Sequence, residues 1–158
     1  MSKLNDIIQS LGLNLRHSIA FADSDNPLYG STGLYVSATQ TICYCKPLMQ
    51  QQAKKLKVSY DQVYDATILH EIGHFLLNTI NKNDAVDVEK RAWHIAIALN
   101  DSLKLIPWDE FNKIRDNGLR FHGKTSFTLG DLARYDDDAF QMLAMQRVQG
   151  LFDADSRY

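Results

Sequence analysis

The chain has 158 residues, 45% of them hydrophobic and 23% charged, with a formal net charge of -2. That length and apolar share suit a single domain over residues 1–158 with a core of its own. The charge balance offers no basic excess for nucleic acid or an anionic membrane surface, and no run reaches the roughly 18 apolar residues of a membrane span.

The first residues, MSKLNDIIQSLGLNL, lack the long apolar run and small-residue cleavage site of a signal peptide. Leu4, Ile7, Ile8 and Leu11 recur at helical spacing, which predicts a short amphipathic helix over 3–12, stopped near Gly12. Arg16–Ala22 (RHSIAFA) reads as a strand, and the stretch from Ser24 to Thr32, with Pro27 and Gly30, as a turn-rich connection. Gly33–Ser37 and Thr41–Cys45 are two short β-rich runs joined by Ala38, Thr39 and Gln40, the pattern of a hairpin, which Pro47 ends. Cys43 and Cys45 fall one residue apart on the same strand face. They give no disulfide framework and read as half-buried packing, so a reducing, cytoplasmic compartment is the expected setting.

Next comes SYDQVYDATILHEIGHFLLNTI. Ser59 followed by Gln62 fits a capping box, which predicts a helix from Tyr60 to about Ile80. Its apolar residues occupy most of the circumference, so it should lie buried at the centre. Asp84 can cap a second long helix over about Ala85–Leu105. A third should start at Pro107, a residue suited to a first helical turn, and stop before Gly118. Two short helices, about Leu129–Arg134 and Asp138–Gln149, close the chain. The expected class is α+β: a small antiparallel sheet packed on a buried central helix, followed by a helical C-terminal half.

That central helix carries His70, Glu71 and His74 between the apolar flanks TIL and FLL. Residues i and i+4 stack on one face of a helix, roughly 6 Å apart, so two imidazoles there can reach one metal ion. Glu71 points about 100° away. It is badly placed as a ligand to that ion and well placed to take a proton from a water beside it. Three polar side chains in a buried helix cost several kcal/mol unless satisfied, and a metal ion satisfies them. Zinc, with nitrogen ligands near 2.0–2.1 Å, suits this donor set.

A third ligand has four candidates: Asp84, Asp87, Glu89 and His94. With Glu89 at 0° on a wheel of 100° per residue, the apolar residues of the second helix from Val88 to Leu103 span about 240° to 340°, and Trp93 falls near 40°. Glu89 lies within that arc, among Ala92, Trp93 and Ala96. Asp87 and His94 fall near 160° and 140°, on the wet side. A carboxylate in an apolar arc needs a partner, which favours Glu89. The Asp136–Asp138 run lacks the spaced oxygen ligands of a calcium loop and reads as a helix cap.

His70-Glu71-Ile72-Gly73-His74, followed by Glu89-Lys90-Arg91-Ala92 on the next helix, resembles the ImmA/IrrE-type zinc metallopeptidases, which show HExxH and then ExxA. Gly33-Leu34-Tyr35-Val36 and Ile42-Cys43-Tyr44 are similar to the family's hairpin before the active-site helix. The segment from Leu132 to Phe140 is similar to its closing segment. The resemblance implies a minimal zincin domain holding one Zn2+ on His70, His74 and Glu89, with Glu71 as general base. It also implies a cytoplasmic protease acting on a protein such as a helix-turn-helix repressor of a phage or mobile element.

The expected chemistry is peptide hydrolysis, with Gly33, Leu34, Tyr35 and Val36 as an edge strand holding the substrate extended. An oxyanion donor is also needed. Tyr135, His122, Tyr29 and Tyr60 are its candidates, and the sequence does not choose among them. The competing reading is a non-proteolytic zinc-binding antirepressor or inhibitor module that acts by protein–protein binding, with a fourth protein ligand closing the site.

Overall fold

A computed structural model describes residues 3–19, 22, 32–79 and 88–121. These residues form an α+β structure with five helices and one small three-stranded sheet. The first helix, α1 (Lys3–Ser10), buries Leu4, Ile7 and Ile8, and the chain turns at Gly12 with φ +70°. Strand β1 (Asn14–His17) follows, then β2 (Gly33–Val36), a 3-10 turn (Ser37–Thr39) and β3 (Thr41–Tyr44). Helices α2 (Lys46–Leu56), α3 (Tyr60–Thr79), α4 (Val88–Leu103) and α5 (Trp108–Phe121) complete the described chain.

The sheet is mixed, not antiparallel as expected. Its order is β1-β3-β2. The hairpin is present: β2 pairs antiparallel with β3, Gly33 opposite Tyr44 and Val36 opposite Thr41. The other edge, β1, runs parallel to β3, Asn14 opposite Thr41 and His17 opposite Tyr44. The short turn from Ser37 to Gln40 brings β3 back antiparallel to β2. No such short turn joins β1 to β2, which lie farther apart in sequence, and β3 lies between the two in the sheet. Strand β1 also starts and ends earlier than Arg16–Ala22. Its partner β3 stops at Tyr44, because Cys45 is already the cap of α2, and the Ser18 N–H makes the last described bond to it, donating to the Tyr44 carbonyl at 2.9 Å; residues 20 and 21 lie outside the described residues.

Helix α2 was not expected. Pro47 does end the hairpin, but it does so as a first-turn residue of a helix. Met49, Gln52 and Ala53 are its buried residues, at helical spacing, and Lys57 closes it in the left-handed region at φ 59°. The polar run QQQ and the pair Lys54-Lys55 mask that spacing in the sequence. Helix α5 also overruns its expected stop: Gly118 lies inside it, where any side chain would meet the Trp93 indole at 2.8 Å. The α4–α5 corner is tied by buried Asn100, whose amide donates to the Ile106 carbonyl and whose oxygen accepts from the Ile106 N–H, both at 2.9 Å.

The core gathers around α3, as its apolar circumference predicts: Val63, Ala66, Ile68, Leu69, Ile72, Leu76 and Leu77 are buried. The sheet, α1 and α2 supply Ile42, Leu4, Ile7, Ile8 and Met49; α4 and α5 supply Ala92, Ile95, Ala96, Leu99, Phe111, Ile114 and Leu119. Among the described residues no helix is long and apolar enough to cross a membrane. The expected helices over 129–134 and 138–149 lie outside the described residues.

Candidate metal centre

The capping box that starts α3 is formed: the Gln62 N–H donates to Ser59 Oγ, and the Ser59 N–H donates to Gln62 Oε1, each at 3.1 Å. Eleven residues beyond Ser59 by sequence number, the buried middle of the helix carries His70. His70 and Glu71 are 6% and 4% exposed. His74, one turn on, is half-buried. The two imidazoles meet edge to face, centroids 4.6 Å apart, and their Nε2 atoms lie 3.1 Å from each other.

Helix α4 brings the third group. It crosses α3 at Gly73, where a Cβ would run into the Ala92 carbonyl and lie 3.0 Å from Ala92 Cα. With the backbones this close, Glu89, three residues before Ala92 and so on the same face, reaches both histidines. Its Oε2 is 3.0 Å from His70 Nε2 and its Oε1 is 3.0 Å from His74 Nε2. Glu71 stands to one side, its Oε1 3.9 Å from His70 Nε2. Ligand atoms of His70, Glu71 and His74 all lie within 4.8 Å of one another, a grouping that could hold a metal ion.

The chemistry of the donor set fits a small tetrahedral cation. Bonds of 2.0–2.1 Å imply ligand–ligand edges of about 3.3 Å, against 3.0–3.1 Å for the edges measured here. Each Nε2 can donate a proton to its own Glu89 oxygen, but the two nitrogens then face each other across 3.1 Å with no proton between them. A cation shared by the two lone pairs and the carboxylate removes that contact.

Without a metal, the groups respond to each other. Burial by itself would raise the Glu89 carboxyl, but hydrogen bonds from His70 and His74, with their charge, hold it well below the usual carboxylate range. Burial would lower His74, yet the bond to Glu89 and the charges of Glu71 and Glu89 outweigh it and raise the imidazole.

The sheet reaches the same place. Gly33, the first residue of β2, lies over Thr67 and Glu71, and Tyr35 meets Phe75 edge to face at 5.9 Å. Gly33 and Tyr35 therefore face α3 beside the histidines, and β2 is an edge of the sheet.

Glu89 is thus the acidic candidate brought to the histidines. Half-buried His94 is not in the grouping of ligand atoms found at the histidines, and Asp84 and Asp87 lie outside the described residues. So do Tyr29, His122 and Tyr135. Tyr60 sits three turns before Glu71 on α3, about 16 Å along the axis, too far to donate there. Two residues beside the site escaped the sequence reading. Gly73 sets the helix crossing, and Trp93 stacks on His70 with centroids 4.2 Å apart and planes 25° apart. A glycine inside an apolar helix was a visible signal of close approach; nothing in the sequence pairs Trp93 with His70. No family model, curated protein or solved structure matches the chain.

Proposed function

We propose that the protein is a zinc-dependent peptidase with a minimal zincin-like domain, of the ImmA/IrrE kind that its motifs resemble. The observation that carries this reading is the triangle of His70 Nε2, His74 Nε2 and Glu89 carboxylate at 3.0–3.1 Å, with a separate carboxylate, Glu71, 3.9 Å from His70 Nε2. His70, His74 and Glu89 would hold the ion. Bound zinc supplies Lewis acidity, which polarises a carbonyl and makes water a nucleophile near neutral pH. Glu71 accepts the proton of the attacking water and returns it to the leaving amine. The outer edge of β2 in the described sheet would offer backbone groups to an extended peptide, whose carbonyl would then lie over the Gly33–Glu71 end of the strand.

The proposed substrate is a protein, with a helix-turn-helix repressor of a phage or mobile element as the target to try first, and the proposed setting is the cytoplasm. A purely structural zinc site closes on a fourth protein ligand. Glu71 is the further side chain grouped with the histidines, and its offset from the ligand triangle favours a base over a ligand.

Two measurements test the proposal. Elemental analysis of the purified protein is expected to return about one zinc per chain. Glu71→Gln is expected to keep that zinc and to lower peptide or repressor cleavage by at least about a hundredfold. A parent without stoichiometric metal, or a Glu71→Gln protein that cleaves as fast as the parent, refutes it.

A further inference from the structure

Most metal-bound histidines are aimed by a hydrogen bond from the second ring nitrogen to a carboxylate, carbonyl or water. His70 is built differently. Its Nδ1 is buried and has no hydrogen-bond partner among the described residues. What lies against the ring instead is the face of the Trp93 indole, 4.2 Å away and nearly parallel.

The indole is itself held by shape. Phe111 packs edge-on to it at 5.9 Å and 82°, and the missing side chain of Gly118 makes room for its Cζ2 and Cε2 edge. Trp93 is 4% exposed, and its Nε1 has no hydrogen-bond partner among the described residues. No polar contact therefore fixes the indole plane, which is set by the imidazole on one side and the α5 contacts on the other. Trp93 also stands one turn after Glu89 on α4, so a single helix delivers both the carboxylate and the aromatic plate to His70.

We infer that Trp93 is a positioning residue for His70: its indole face fixes the imidazole for metal binding in place of the usual hydrogen bond to Nδ1. A quadrupolar face also favours a ring that becomes more positive on ligating a cation, so the stack should strengthen binding as well as aim it. This inference rests on the zinc reading above and deepens it.

The test reads metal affinity rather than turnover. Zinc dissociation constants are measured by competition with a chromophoric chelator for the parent, Trp93→Leu and Trp93→Phe. Expected is at least about a tenfold loss for Trp93→Leu and recovery of most of it in Trp93→Phe, which keeps an aromatic face. In a Trp108→Phe background Trp93 is the sole tryptophan, and its emission should be quenched in step with the binding of one Co2+. Tryptophan emission that ignores bound cobalt overturns the inference, including when Trp93→Leu fails to fold. So does a folded Trp93→Leu that binds zinc as tightly as the parent while the parent binds one ion. A parent that binds neither ion defeats the zinc reading itself, and this inference falls with it.

Discussion

Asp65 sits on α3 one turn after Asp61 and about two turns before Glu71. Burial, with the charge of Asp61 added, pushes its carboxyl up from an ordinary 3.8 to about 6. Between those pH values the folded chain binds more protons than the unfolded one, so stability falls as pH rises through this window and stays lower above it. Asp65→Asn removes the penalty. The full shift would correspond to about 3 kcal/mol, but the side chain is only half-buried, and solvent screening reduces that to about 1 kcal/mol. The variant should therefore melt about 2–4 °C higher at pH 7.5 and match the parent below about pH 4. Equal melting temperatures at pH 7.5 would contradict this. At the same scale, the legible residues were those whose meaning is local. His70, Glu71 and His74 declare themselves by spacing within one helix, and Glu89 by its place in an apolar arc. The stacking of Trp93 on His70 could not be read, because it depends on how far apart two helices lie.

That separation is set by one crossing. Helices α3 and α4 touch backbone to backbone at Gly73 and Ala92. Gly73→Ala puts a methyl group against the Ala92 carbonyl, and α4 must move away, taking Glu89 and Trp93 with it. The expected cost is about 1–3 kcal/mol of stability, read as a lower midpoint in urea. Zinc affinity should fall by more than about tenfold, since a carboxylate displaced by even a fraction of an ångström leaves the 3.0 Å positions it holds against both imidazoles. Unchanged zinc affinity in a folded Gly73→Ala protein would show that this crossing does not set the site.

The elements were legible wherever their signal was local. The Ser59–Gln62 box and the apolar circumference pointed to α3, and the two β-rich runs joined by Ala38, Thr39 and Gln40 pointed to the β2–β3 hairpin. Three readings failed for identifiable reasons. The parallel pairing of β1 is a long-range choice between two legal neighbours, α2 hides its buried stripe under glutamines and lysines, and Gly118 marks a contact for an indole instead of the end of a helix. For β1 and Gly118 the deciding partner lies far away in sequence, whereas in α2 the composition of the helix itself conceals the stripe.

At the scale of the whole molecule, the site ties α3 to α4, so a metal bound there would couple its binding to folding. The metal-free protein already gains from the cluster, in a limited pH range. Glu89 is lowered on folding, so its contribution is present above the ordinary 4.5 and is lost as pH falls through the folded value. His74 is raised, so its contribution is complete below the ordinary 6.5 and is lost as pH rises through the folded value. The two coincide between 4.5 and 6.5, where the metal-free cluster is at its best. Zinc requires neutral imidazoles, so it competes with the proton that favours His74, and its affinity should climb with pH. Metal-free protein should accordingly lose melting temperature between pH 6 and 8.5, while the increment added by zinc grows over the same interval. With zinc at a thousandfold excess over its dissociation constant, the gain at pH 8 is about 4 kcal/mol, or about 10 °C for a chain of this size. A chelator should abolish it, and His74→Ala should abolish most of it. Scanning calorimetry with zinc and with chelator at pH 5.5, 7 and 8.5 decides the matter: an increment independent of pH would mean that zinc, if it binds, does not displace the proton held between His74 and Glu89.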